Sequence, residues 1–192
     1  MAEWREECAV FGIWGADRAS ELTQLGLYAL QHRGQESTGI VTSHDGRFFV
    51  EKGLGLVADV MTPERLARLP GRQAIGHNRY STTGGLNLTN AQPLTVRFRG
   101  TEVAIAHNGN LVNARALRHR LEESGSLFQT SLDTEVFLHL MAQSVDRLGR
   151  HHRERVGALD LAAGLAEAFL ERALGLGHEV EEHLGVEARL EQ

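Results

Sequence analysis

Short apolar runs and helical stripes alternate along this chain, and their order predicts a mixed fold. Cys8 to Trp14 is an apolar stretch of strand length close to the N-terminus. Asp17 or Ser20 then opens a helix in which Leu22, Leu25, Gly26, Ala29 and Leu30 recur at helical spacing. The helix ends near Gln31 to Glu36, a run of small and polar residues. Thr38–Ser43 and Arg47–Lys52 read as strands joined through Asp45-Gly46, a strong hairpin signal because both turn residues accept positive φ.

The second half repeats the alternation. Thr62-Pro63 starts a short helix, since proline suits the first helical position. Gln73 to Arg79 is a short strand leading into Tyr80-Ser81-Thr82-Thr83-Gly84-Gly85 and a polar loop that runs to Gln92. Pro93–Phe98 and Thr101–His107 form a second hairpin around Arg99-Gly100, which delivers Asn108-Gly109-Asn110 at its end. Asn113 caps a helix to about Glu123 with Gly125 as its stop, and Asp133 begins another to about Leu148. Beyond Arg150 the pattern is helical, with Leu161, Ala162, Leu165, Ala166, Phe169, Leu170 and Ala173 on one stripe.

Composition narrows the function classes. A length of 192 residues suits one domain with a real core. The net charge of −5 and the scattered arginines leave no basic stripe, so nucleic acid is not an expected partner. No apolar run approaches the roughly 18 residues of a membrane helix, and the single cysteine excludes an internal disulfide framework. The expected setting is cytoplasmic, without a membrane. Asn87-Leu88-Thr89 fits the glycosylation sequon, but no secretory signal precedes it.

Several motifs are weaker than they look. Gly53-Leu54-Gly55-Leu56-Val57-Ala58 has dinucleotide-fingerprint spacing, yet no long helix follows to receive a pyrophosphate. His178-Glu179 and Glu182-His183 place the second histidine five residues after the first, which turns it off the face a zinc helix needs. His151-His152 lies among arginines and reads as surface.

The lone Cys8 has two readings. One is an inert buried thiol, the common fate of free cysteine. The other is a nucleophile that carries its own base. If Met1–Glu7 is a propeptide, its removal leaves Cys8 with a free α-amine of pKa about 7.7–8.0, able to take the thiol proton and pass it to a leaving group. The segment is too short and too acidic for a signal peptide.

Cys-Ala-Val-Phe-Gly-Ile, Gln-His-Arg-Gly-Gln-Glu, Gly-His-Asn-Arg-Tyr-Ser-Thr, Ala-His-Asn-Gly-Asn-Leu and Ser-Leu-Asp-Thr-Glu-Val follow one another between Cys8 and Val136. Together they resemble the glutaminase domain of the class II glutamine amidotransferases, which are N-terminal-nucleophile hydrolases, and most closely the amidophosphoribosyltransferase family. The resemblance implies an α+β fold, a four-layer αββα sandwich, over residues 8–150. It also implies roles: Cys8 attacks the side-chain amide of glutamine, while the Asn108 side chain and the Gly109 N–H form the oxyanion hole. Arg79 would grip the α-carboxylate through a forked ion pair, with Thr82 adding a hydroxyl. Asp133 would bind the α-ammonium group, and Arg33 and Gly34 would order the loop beside the nucleophile. His77 and His107 are expected to be structural.

The chain also departs from that family. Ala9 replaces a more usual glycine. The family's further strands, which complete the sandwich, have no counterpart in 151–192, a divergent helical tail that leaves the fold incomplete at its C-terminus. The phosphoribosyltransferase domain is missing as well, because no Asp-Asp pair occurs. No cofactor is expected within this chain: Mg2+ would belong to the missing domain, and an iron–sulfur cluster needs four thiolates. Expected partners are glutamine and an ammonia-accepting synthase domain or subunit, with homo-oligomerisation left open. The competing readings are an inactive fragment or regulatory module, and a glutaminase subunit for another acceptor.

Overall fold

The structure, a computed structural model, describes residues 8–80, 87–98 and 101–151. The expected propeptide Met1–Glu7, the loop carrying Thr82, the stripe from Leu161 and the His178 to His183 motif lie outside the described residues. The chain divides into two units, Met1–Leu138 and His139–Gln192. The core and the site belong to the first.

In chain order the elements are β1 (Ala9–Trp14), α1 (Ala19–Ala29), β2 (Ser37–His44), β3 (Arg47–Leu54), α2 (Val57–Val60), α3 (Pro63–Leu66), β4 (Gln73–Arg79), β5 (Leu94–Phe98), β6 (Thr101–Ile105), α4 (Ala114–Glu123) and α5 (Thr134–His151). Four strands make an antiparallel sheet in the order β1-β4-β2-β3, and β5 pairs with β6 in a second antiparallel sheet. The architecture is α+β. Asp45 (φ 48°) and Gly46 (φ 73°) close the β2–β3 hairpin in the mirror-image turn that matches strand twist. After β3, Gly55 (φ 114°) leads only into the four-residue α2, so the glycine-rich stretch opens no phosphate-binding helix. Among the described residues no helix is long and apolar enough to cross a membrane.

β4 lies between β1 and β2 and divides its labour by parity, because strand side chains alternate between faces. Gly76 and Asn78 face α1. A Cβ on Gly76 would come within 2.6 Å of Thr23 Cγ2 and 2.7 Å of Leu27 Cδ1, while the Asn78 amide donates to the Leu27 carbonyl at 2.7 Å. The Thr38 hydroxyl, opposite Asn78 on β2, donates to its Oδ1 at 3.1 Å. His77 and Arg79 therefore point the other way, toward the site. Leu27, Ile40, Val57 and Met61 are fully buried in the core on the α1 side, each contributing about 1.5–3 kcal/mol by leaving water.

The leucine stripe expected of α1 is not its buried face. Leu22 is 40% and Leu25 61% exposed, whereas Ala19, Ser20, Thr23 and Leu27 are buried. Close packing decides this: Gly26 lies under Phe11, where a Cβ would sit 2.4 Å from the ring, so the Gly26 side of the helix turns inward with Thr23 and Leu27, and Leu22 and Leu25 turn outward. Neither expected cap opens the helix. Arg18 holds the N-cap position without a side-chain bond, Asp17 pairs with Arg72, and Ser20 lies buried inside the first turn. Asn113 stands at the N-cap of α4 but makes no side-chain cap bond, and Gly125 (φ 91°) follows as the stop.

Candidate active site

Cys8 lies one residue before β1, and the β1–β4 register pairs Ala9 with Asn78. That register sets Cys8 beside the end of β4. The thiol exchanges two bonds with the backbone of Tyr80: Sγ donates to the Tyr80 carbonyl and the Tyr80 N–H donates to Sγ, both at 3.4 Å. Arg33 Nε donates to the Cys8 carbonyl at 3.3 Å. Cys8 is thus half-buried, its sulfur held by the Tyr80 backbone and its carbonyl by Arg33.

Gly34 serves this arrangement by having no side chain. It is buried against the outgoing end of β4, where a Cβ would sit 2.8 Å from the Asn78 carbonyl oxygen and 2.9 Å from the Arg79 carbonyl carbon. The backbone after α1 consequently passes directly behind Arg79. Arg79 itself is 7% exposed and lines an open cavity of about 780 Å³. Among the described residues its guanidinium has no hydrogen bond and no ion pair. A desolvated cation without a counter-ion is costly, so this position suits an anionic ligand.

The opposite wall comes from the segment after β6 and from the start of α5. Gly109 adopts φ 141°, a conformation that favours glycine, and both Gly109 and Asn110 line the cavity. Asn108 is exposed and does not line it. Asp133 stands immediately before α5 on the cavity wall, and its Oδ2 accepts the Leu111 N–H at 2.7 Å, which ties the Asn108–Asn110 loop to the helix start. Burial works to raise the Asp133 pKa, but the nearby His107 ring, 3.7 Å away through Nδ1, and the Leu111 N–H outweigh it and hold the carboxyl below its usual range. The approach to Asp133 is clamped by Glu135, whose carboxylate accepts the N–H groups of Gln129 and Thr130 and the Thr130 hydroxyl, each at 2.7 Å.

His77 is fully buried, and its Nε2 donates to the His107 carbonyl at 3.2 Å. Among the described residues its Nδ1 has no hydrogen-bond partner. Burial, reinforced by the neighbouring Arg79 charge, lowers its pKa to about 4, against the opposing pull of the His107 carbonyl. The ring is neutral at neutral pH. His107 packs edge-on against Phe137 with ring centroids 4.9 Å apart and also reaches the cavity wall.

The cavity therefore gathers Cys8, Arg79, Gly109 and Asp133 from four separate stretches of sequence. Arg33 and Gly34 sit behind it, and Thr82 lies outside the described residues. Sequence reasoning passed over Tyr80, Gln92 and Arg118. Tyr80 acts through its backbone, which leaves no trace in residue type. Gln92 is buried and holds the His107 peptide. Arg118 spans from the Thr130 carbonyl (2.7 Å) to the Phe128 ring (4.0 Å); its place on the inward side of α4, one residue from buried Leu117, was the available signal. Among the described residues no group of three or more His, Cys, Asp or Glu side chains is arranged to hold a metal ion.

The antiparallel α+β core places the chain in the N-terminal-nucleophile class of fold, the fold of the solved structures on which it superposes, and the model of the glutamine amidotransferase domain family matches residues 77–158. More narrowly, the chain belongs to the amidophosphoribosyltransferase family. The amidophosphoribosyltransferase of Lacticaseibacillus casei is 51% identical over 141 residues, covering 73% of this chain and 73% of the relative. The chloroplastic enzyme of Vigna aconitifolia is 55% identical over 143 residues, 74% of this chain and 30% of its own. A solved structure described as the allosteric regulatory enzyme of purine biosynthesis superposes with a TM-score of 0.70 at 42% identity, over 83% of this chain and 32% of that one. The chain spans 25 to 30% of the length of the plant relatives it matches.

Proposed function

We propose that this chain hydrolyses the side-chain amide of glutamine and passes the ammonia to a phosphoribosyl acceptor held by a domain or chain outside these residues, in the cytoplasm. The acceptor reading follows the relatives' name and corresponds to forming 5-phosphoribosylamine, the first step of purine biosynthesis. One observation carries the glutamine reading. Arg79 and Asp133 line the same cavity as the Cys8 sulfur without pairing with each other, which suits the α-carboxylate and α-ammonium groups of a free amino acid whose side chain reaches the thiol.

The chemistry follows from those positions. After loss of Met1–Glu7, the Cys8 α-amine takes the thiol proton as sulfur attacks the amide carbon. The resulting oxyanion is met by the Gly109 N–H on the cavity wall, and the family resemblance adds the Asn108 side chain, which must turn in from its exposed position to reach it; one such donor is typically worth about 10²–10³ in rate. The amine then protonates the leaving nitrogen, and ammonia departs as the carbon–nitrogen bond breaks. Water, deprotonated by the same amine, opens the γ-glutamyl thioester, releasing glutamate and restoring the thiol.

Glutamine-dependent ammonia release tests this directly. Cys8→Ala is expected to abolish it while leaving the circular dichroism spectrum unchanged. An active preparation whose intact mass retains Met1 or Ala2 throughout overturns the N-terminal mechanism.

A further inference from the structure

We propose that Gln92 is a positioning residue for the oxyanion donors, a role that rests on the reading of Asn108 and Gly109 given above. The β5–β6 ladder ends at the pair Leu94–Ile105, so the backbone beyond Ile105 has no ladder partner from β5. The Gln92 side chain replaces one. Its Oε1 accepts the His107 N–H at 2.8 Å, and its Nε2 donates to the His107 carbonyl at 3.3 Å. A primary amide thus grips both polar groups of one residue, as a neighbouring strand would, directly before Asn108 and Gly109. His77 Nε2 supports the same carbonyl at 3.2 Å.

The clamp is anchored to the main sheet. Lys52 Nζ, on β3, donates to the carbonyls of Ala91 (2.9 Å) and Pro93 (3.2 Å), the residues on either side of Gln92. On β2, Gly39 admits the Gln92 carbonyl so closely that a Cβ would lie 2.1 Å from it. Gln92 is 5% exposed, so water competes little for its amide. Position thereby passes from β2 and β3 through Gln92 to His107 and on to the Asn108–Gly109 donors. Gln92 bonds neither Arg79 nor Asp133: the backbone of Arg79 is set by the β2–β4 ladder, and Asp133 meets His107 only through the ring Nδ1 at 3.7 Å, so the donors next to the clamp bear most of a change at Gln92.

A donor that acts on the oxyanion stabilises the transition state and leaves the bound amide untouched, so its misplacement lowers kcat with KM unchanged. Gln92→Met keeps the length and removes both bonds. In the full chain it is expected to lower glutaminase kcat about 10–100-fold, given the sensitivity of such geometry to shifts of about 1 Å, with KM for glutamine within about twofold of wild type. Hydrogen exchange supplies a readout independent of activity: the His107 amide and the Asn108–Asn110 segment should lose protection while β1 to β4 keep theirs. A raised KM at unchanged kcat, or unaltered exchange at His107, overturns the proposal. If wild type releases no ammonia but Gln92→Met still loosens His107, the glutaminase reading falls and the clamp stands. Should Gln92→Met fail to fold, Gln92→Glu, which keeps the acceptor and loses the donor, carries the same kinetic and exchange test.

Discussion

His77 should make this fold acid-labile in a way that one substitution removes. Its pKa falls from about 6.5 in the unfolded chain to about 4 in the folded one, chiefly through burial. The structure gives the reason: Nε2–H already uses the His107 carbonyl, and a proton on Nδ1 would create a buried donor with no acceptor among the described residues. Because the folded pKa is depressed, the stabilisation is complete above about pH 6.5 and is lost as pH falls toward 4. At pH 5 the unfolded chain has taken up the proton and the folded chain has not. That gap of about 1.5 units, at 1.36 kcal/mol per unit, amounts to about 2 kcal/mol, rising to about 3 kcal/mol at pH 4. His77→Gln places an amide donor near the Nε2 position and cannot titrate. Urea melts at pH 7.5 and pH 5.0 should show wild type losing about 2 kcal/mol more than the variant, roughly 1 M in midpoint. Any overall cost of the substitution cancels in that difference. Equal losses in the two proteins would refute a neutral, trapped imidazole.

Three further outcomes follow from the geometry. Arg79→Gln should raise the glutamine KM in ammonia-release kinetics with little loss of kcat and should cost about 1.5–3 kcal/mol in kcat/KM, the usual worth of a bond to a charged group; an unchanged KM would remove Arg79 from substrate binding. Gly34→Ala forces a Cβ to 2.8 Å from the Asn78 carbonyl oxygen and should destabilise the fold by about 1–3 kcal/mol in chemical denaturation; a neutral result would mean that the backbones behind Arg79 can separate. Leu27→Ala, at a fully buried position between α1 and β4, should cost about 2–5 kcal/mol, while Leu25→Ala, at 61% exposure, should fall within about 0.5 kcal/mol of wild type.

Much of the fold was legible because its signals are local. Asp45-Gly46 announces its hairpin through the φ values that it alone tolerates, and Cys8 to Trp14 reads as a strand from its length and apolar character. The face of α1 was not legible. Leu22, Leu25 and Ala29 form a plausible stripe, but the choice of face was made by Phe11, fifteen residues before Gly26, whose ring requires a glycine opposite it. Expected caps failed for a similar reason, since Asp17 is taken by Arg72, which is distant in sequence. At the site, Cys8, Arg79, Gly109 and Asp133 were singled out through family resemblance, and the structure brings all four to one cavity. Gln92 was hidden, because a buried glutamine in a polar loop resembles any other and its value lies in a partner fifteen residues away.

The β1–β4 ladder begins at the Ala9–Asn78 rung. Scission of the peptide bond between Glu7 and Cys8 therefore removes no rung, and the newly liberated nitrogen belongs to a residue already tethered through its sulfur and its carbonyl. Were the proposed maturation to cut at that bond, the β1–β4 ladder would already be complete, and assembly of the sheet would precede release of the proposed nucleophile.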